Sequence, residues 1–110
     1  MARRFLVDRF GLHGKITAQP GTRDQLVEHL LSAAKLMDTA EGCELYVVST
    51  ASDDDAVWVT EIWRSKADHD ASLAIVGVAE LIRRTRPLIA SMSESVPLVV
   101  RGGKGLASEK

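Results

Sequence analysis

Apolar and polar positions alternate from Phe10 to Gln19, with Phe10, Leu12, Ile16 and Ala18 on one side and His13, Lys15 and Thr17 on the other. A period of two predicts a strand. Pro20-Gly21 ends it. Thr22 followed three residues later by Gln25 predicts a capping box, and Leu26, Leu30, Ala33 and Met37 recur behind it at helical spacing. Two runs rich in Val, Tyr, Trp and Ile, Cys43 to Ala51 and Ala56 to Trp63, predict a hairpin of strands across the polar link Ser52-Asp-Asp-Asp55. The three aspartates fit a solvated turn better than a metal site, because a cation needs further oxygen ligands and none lies near in sequence.

Ser65 with Asp68 three residues on marks the start of a second helix. Gly77 and Pro87 interrupt its pattern, so this helix is expected to be broken. Val96 to Arg101 predicts a last short strand. The order strand, helix, strand, strand, helix, strand is that of an α+β, ferredoxin-like βαββαβ fold with an antiparallel sheet and its helices on one face. Residues 1–101 are expected to form one domain, and 102–110, with almost nothing to bury, a flexible C-terminal tail.

One feature of the pattern demands more than this fold supplies. Leu45 and Val47 point opposite to Tyr46 and Val48, and Trp58 and Ile62 opposite to Val57, Val59 and Trp63, so both faces of the sheet are apolar. Helices cover only one face. The simplest cover for the other is a second copy of the chain, which predicts a homodimer packed sheet to sheet.

Charge and composition then narrow the partners. A formal net charge of −1 gives no field to attract nucleic acid or an anionic membrane. No apolar run approaches the ~20 residues that span a bilayer, and Asp8 and Arg9 cut off the first apolar run well short of a signal-peptide core. Cys43 is the only cysteine, so no internal disulfide is possible, and a reducing cytoplasm fits best.

The candidate chemistry lies between Glu61 and Leu73. Glu61 and Trp63 alternate with Ile62 and share a face, and a carboxylate beside a buried indole needs a partner, for which Arg64, Lys66 and Arg86 are the candidates. His69 sits on a helix where two stripes compete for the core, Ala67, Ala71, Ala74 and Val78 against the bulkier His69, Leu73 and Val76. If the bulkier stripe faces inward, His69 lies near Trp63, either as an acid or base, since imidazoles titrate near neutrality, or as a core histidine bonded to backbone. His13 belongs near the dimer face, and His29 at the half-exposed edge of the first helix. Arg83, Arg84 and Arg86 spread around their helix as a solvated face. The three histidines are far apart in sequence, and no metal site is expected.

The run Val-Trp-Val-Thr-Glu61-Ile-Trp63-Arg-Ser-Lys-Ala-Asp-His69-Asp-Ala resembles the antibiotic biosynthesis monooxygenase domain. So do the preceding Gln-Pro-Gly with its helix, the segment Glu-Gly-Cys-Glu-Leu-Tyr, and the closing Arg86-Pro-Leu-Ile before a last strand. The resemblance covers about Gly11 to Arg101. It implies a dimeric α+β barrel with a cavity in each subunit, in which some members oxidise hydroquinones or polyketide-derived phenols with dioxygen and no bound flavin or metal. Such substrates, once deprotonated, can reduce dioxygen themselves, so the protein supplies a base, apolar walls and a donor for the developing anion. On that reading His69 is the base, Trp63 a wall of the cavity, and Glu61, Ser72 and Arg86 complete a substrate-binding set for a small aromatic or quinol-like molecule, with dioxygen as co-substrate and no cofactor. The sequence departs from its relatives in three places. His69 stands where most carry an aliphatic or aromatic side chain, so its role as base is not carried over from them. Many carry a histidine nine residues after the tryptophan, where Ser72 stands here. Members that degrade haem use an asparagine on the first strand, and this chain contains no asparagine. A non-catalytic small-molecule-binding or stress-associated dimer, and an isomerase or lyase of the same barrel type, remain as alternatives.

Overall fold

The structure is a computed structural model that describes residues 8–52 and 54–106. Four strands and three helices follow in the expected order. They are β1 (Arg9–Ala18), α1 (Arg23–Leu36), β2 (Cys43–Thr50), β3 (Ala56–Trp63), α2 (Lys66–Ser72), α3 (Val78–Thr85) and β4 (Ile89–Val100). Short 3₁₀ turns, Met37–Thr39 and Arg86–Leu88, follow α1 and α3. The sheet is antiparallel throughout in the order β2-β3-β1-β4, the ferredoxin-like arrangement.

Register assigns the two faces. Leu12 opposes Glu61, Gly14 opposes Val59 and Ile16 opposes Val57, so these residues share the side on which the helices lie. There Leu26 and Leu30 of α1 bury against Ile16, Ala18, Val57 and Val59, while Met37 and Val78 close around Trp63. The opposite face carries His13, Trp58, Thr60 and Ile62, with Leu45, Val47, Val96 and Leu98 on the flanking strands. Those last four are exposed in the single chain. No helix of the described residues is long and apolar enough to cross a membrane.

The sequence pattern and the structure part company at two places. The capping box at Thr22 does not form, because the Thr22 hydroxyl donates to the Gln19 carbonyl at 2.8 Å and leaves the first turn of α1 without a side-chain cap. β4 begins at Ile89, seven residues before the expected Val96, since Ser91 and its neighbours join the ladder through backbone pairing with β1 despite lacking an alternating pattern. In the β2–β3 link, Arg23 donates to the carbonyls of Ala51 and Asp54, and Asp54 Oδ1 accepts the Ala56 N–H, so the loop is tied from α1. Asp53 lies outside the described residues, as do residues 1–7 and 107–110. β4 ends at Val100, one residue before the expected Arg101, and the described part of the expected tail, residues 102–106, contains neither helix nor strand.

The expected break in the second helix is present. Gly77, with φ +98°, takes a left-handed conformation that separates α2 from α3, and Pro87 stands in the 3₁₀ turn after α3.

Candidate functional site

Glu61 and Trp63 stand two residues apart on β3, which puts both on the helix side of the sheet. Trp63 is 0% exposed, and its indole N–H donates to Glu61 Oε1 at 2.8 Å. A buried indole needs an acceptor, and its nearest neighbour on the same face supplies one. This overturns the expected set of cationic partners for Glu61. Arg64 is engaged by Asp68 at 3.0 Å and Lys66 by Asp70 at 2.8 Å, both one turn ahead on α2, while Arg86 has no ion pair among the described residues. Burial raises the Glu61 pKa above the ordinary carboxyl range, and the Trp63 hydrogen bond and the charge of His69 pull it back only in part. Tyr46, opposite Glu61 in the β2–β3 register, has its phenol pKa raised first by burial and then by the Glu61 charge.

Local sequence fixes His69 just as directly. The Ser65 hydroxyl oxygen accepts the Asp68 N–H at 3.1 Å and starts α2, as the Ser65/Asp68 spacing predicts. Gly42, at φ +88°, packs so closely under this turn that a Cβ there would collide with the Asp68 carboxylate. Seated this way, α2 turns His69 inward. Its ring meets Trp63 edge-on at 5.5 Å and 87°, and Phe10 at 5.6 Å, leaving the side chain 21% exposed. The rest of the bulky stripe does not follow, because α2 ends at Ser72. Leu73 is 54% and Val76 92% exposed, and the buried residue of that turn is Ser72.

His69 Nδ1 lies 2.9 Å from Asp70 Oδ1. Lys66 first, and His69 second, hold the Asp70 carboxyl below its ordinary pKa, so it is an ionised acceptor. The imidazole hydrogen therefore sits on Nδ1 and the lone pair on Nε2. The partner is thus a carboxylate and not the backbone. The Ser72 hydroxyl donates to the His69 carbonyl at 2.6 Å, so its hydrogen is already used and it can only accept from a ligand.

All five residues expected at the site, Glu61, Trp63, His69, Ser72 and Arg86, line one cavity of about 440 Å³ between sheet and helices. Its walls are mostly aliphatic, from Leu12, Ile16, Leu30, Val59, Val78, Leu81 and Ile89. Gly14 leaves its part of the floor without a side chain. Tyr46, His29 and Thr85 also line it. His29, expected half-exposed at the edge of α1, is half-buried there, and its Nδ1 lies 3.4 Å from Thr85 Oγ1. Four contributors carried no sequence signal. Asp70 is adjacent to His69 on a helix, where neighbours do not usually face each other, and Gly14, His29 and Tyr46 reach the cavity only through the packing of α1 and the β2–β3 register.

A ferredoxin-like sheet with a helix-covered cavity defines the structural class. The family model for antibiotic biosynthesis monooxygenase matches residues 9–82, and the chain belongs to that family. A solved structure from Chloroflexus aurantiacus J-10-fl, provisionally assigned to the same family, is 40% identical, with 90% of this chain and 99% of that chain covered at a TM-score of 0.81. SnoaB, a cofactor-independent oxygenase from Streptomyces nogalater, shares the fold at 14% identity and a TM-score of 0.75, with 90% and 99% covered. PA3566 from Pseudomonas aeruginosa shares it at 20% identity and a TM-score of 0.75, with 86% and 95% covered. Comparison with curated proteins gives no significant match.

Proposed function

We propose that the protein oxidises a phenolic, quinol or polyketide-like small molecule with dioxygen, using no bound flavin or metal. The observation that carries this reading is His69, an imidazole whose hydrogen is fixed on Nδ1 by Asp70, lining an apolar cavity beside Trp63. Such a group is a base placed where a phenol would be desolvated. Family membership and the likeness to SnoaB support the direction.

A substrate of anthrone type is oxidised through its enol tautomer, whose hydroxyl is phenolic. His69 Nε2 takes the phenolic proton, and the electron-rich anion transfers an electron to dioxygen. The two radicals combine into a carbon–oxygen bond. The imidazolium returns its proton to the peroxide, and loss of water leaves a carbonyl. A CH₂ group becomes C=O, one oxygen atom stays with the product, the other leaves as water, and all four electrons come from the substrate. Trp63 walls the cavity and holds Glu61, whose second oxygen is left to a substrate hydroxyl. Ser72 accepts, and Arg86 stands ready for an anionic group.

The same proposal includes a second copy of the chain over the apolar sheet face around Val47, Val96 and Leu98, with residues 1–101 as the folding unit and the cytoplasm as its compartment. The test is oxygen uptake with hydroquinones and anthrone-like phenols, in protein stripped of metal and flavin. Stoichiometric uptake with quinone formation supports the reading. No uptake with any of them rejects it in favour of a non-catalytic binder.

A further inference from the structure

The side chains that line the cavity hold almost all their polar hydrogens in bonds to the protein itself. Trp63 gives its N–H to Glu61, His69 its Nδ1 hydrogen to Asp70, Ser72 its hydroxyl hydrogen to the His69 carbonyl, and Thr85 its own to the Leu81 carbonyl at 2.7 Å. Because Thr85 can then only accept, His29 Nδ1 is the donor in the contact between them. Lys15 has its ammonium over Trp58 on the other face of the sheet, and Arg86 and Ser95 are exposed. What these groups leave for a ligand inside the cavity is acceptors: the second oxygen of Glu61, the imidazole Nε2 atoms of His69 and His29, and the Ser72 hydroxyl oxygen.

Tyr46 is the exception. It lines the same cavity, and its hydroxyl makes no hydrogen bond to any described residue. The β2–β3 register sets it directly opposite Glu61, and residues opposite each other on antiparallel strands stand side by side on one face. No hydrogen bond joins the two. The ring is packed against both parts of the core, the cluster around Leu26 and Val57 and the one around Trp63. Packing alone would be served as well by a phenylalanine, because a hydroxyl taken out of water without a partner costs stability. Burial first, and the charge of Glu61 second, push the phenol pKa up, so the hydrogen stays on the oxygen.

We propose that Tyr46 and Glu61 form a donor–acceptor pair that holds one hydroxyl group of the bound molecule: the ligand oxygen takes the hydrogen of Tyr46 and gives its own to the second oxygen of Glu61. This rests on the cavity being the place where a small molecule binds, and it holds whether or not that molecule is then oxidised. Tyr46 thereby sets specificity. A hydroxyl satisfies both side chains, whereas a methyl group of similar size leaves a phenol and a carboxylate buried without partners.

Equilibrium dialysis of the full chain against 2-naphthol and 2-methylnaphthalene, in which a methyl group replaces the hydroxyl, tests the pair. The parent is expected to bind the naphthol at least about tenfold more tightly. Tyr46→Phe should weaken naphthol binding by about threefold to tenfold and leave the affinity for the methyl compound unchanged or raised. Glu61→Gln, which keeps an acceptor for Trp63 but presents an amide to the ligand, should also weaken binding of the naphthol alone. Tyr46→Phe should melt no lower than the parent, since the hydroxyl that it removes bonds nothing in the protein. Equal affinity of the parent for the two probes overturns the inference, as does an unchanged naphthol affinity in either variant, a lowered melting temperature of Tyr46→Phe, or no saturable binding of either probe. Oxygen uptake is recorded separately with an anthrone. Uptake by the parent together with an unchanged naphthol affinity in Tyr46→Phe sinks the pair and leaves the oxidation, whereas the expected binding loss without uptake does the reverse.

Discussion

The indole N–H of Trp63 donates to Glu61 Oε1 at 2.8 Å between side chains two residues apart on one strand. The pair places a carboxyl group in an apolar cavity and gives it one neutral donor there. Because that donor lowers the Glu61 pKa against the upward push of burial, Trp63→Phe should raise it further. Carboxyl ¹³C shifts followed through a pH titration would measure the change, and a downward move or none would refute the coupling. Trp63→Ala should cost about 3–5 kcal/mol of stability, read from denaturant melts.

Glu61 also makes stability depend on pH in a stated direction. Its pKa is raised on folding, so between the unfolded value of about 4.3 and the raised folded value the native state binds more protons than the unfolded chain. Stability from this group is therefore lost as pH rises through that window and stays lost above it. Glu61→Gln retains an acceptor for Trp63 and never ionises. Its melting temperature relative to the parent should rise as the pH increases from 4 and level off once Glu61 is ionised in the folded parent. A difference that shrinks over that range would contradict the sign.

If His69 is the base, His69→Ala should lower kcat for phenol oxidation by about 10²- to 10⁴-fold with little loss of stability. Asp70→Asn should give a smaller fall, because the imidazole keeps its place against Trp63 and Phe10 but faces an amide that can donate as well as accept, so its tautomer is no longer fixed. Added imidazole should restore part of the His69→Ala rate. Oxygen-electrode kinetics with both variants decide the assignment, and parental activity in both would leave His69 a packing residue.

Gly14 offers a test that touches no polar group. It faces the cavity from the middle of β1, between Val59 and Ser95 of the neighbouring strands. Gly14→Leu should fill the space, abolish binding of 2-naphthol, and cost no more than the ~1–3 kcal/mol typical of an overpacked core. Calorimetry and a thermal melt on the same sample check both halves.

Leu98 is 44% exposed on the sheet face away from the helices, with Val96 beside it on β4 and Leu45 and Val47 across the sheet on β2. A second copy covering this face would make Leu98→Glu bury a charge against apolar side chains. Sedimentation velocity should then show a dimer for the parent and a monomer for the variant. A parent that sediments as a monomer at micromolar concentration ends the dimer proposal.

Local pattern determined much of this protein. Alternation at Phe10–Gln19 and Ala56–Trp63, helical spacing from Leu26 to Met37, and the Ser65/Asp68 cap each depend on neighbours within a few residues, where backbone geometry repeats with a fixed period. Hence the element order, and the common face of Glu61 and Trp63, were legible in the chain. Tertiary structure decided what those elements bring together. The partner of Glu61 went to the indole because Arg64 and Lys66 were engaged along α2. Thr22 turned its hydroxyl to Gln19, and Ser91 joined β4 because β1 offered it a ladder. His29 and Thr85 meet across α1 and α3 although 56 residues separate them. No periodicity carries such a contact, since it depends on how the helices seat on the sheet, and that seating is set by packing summed over the whole core.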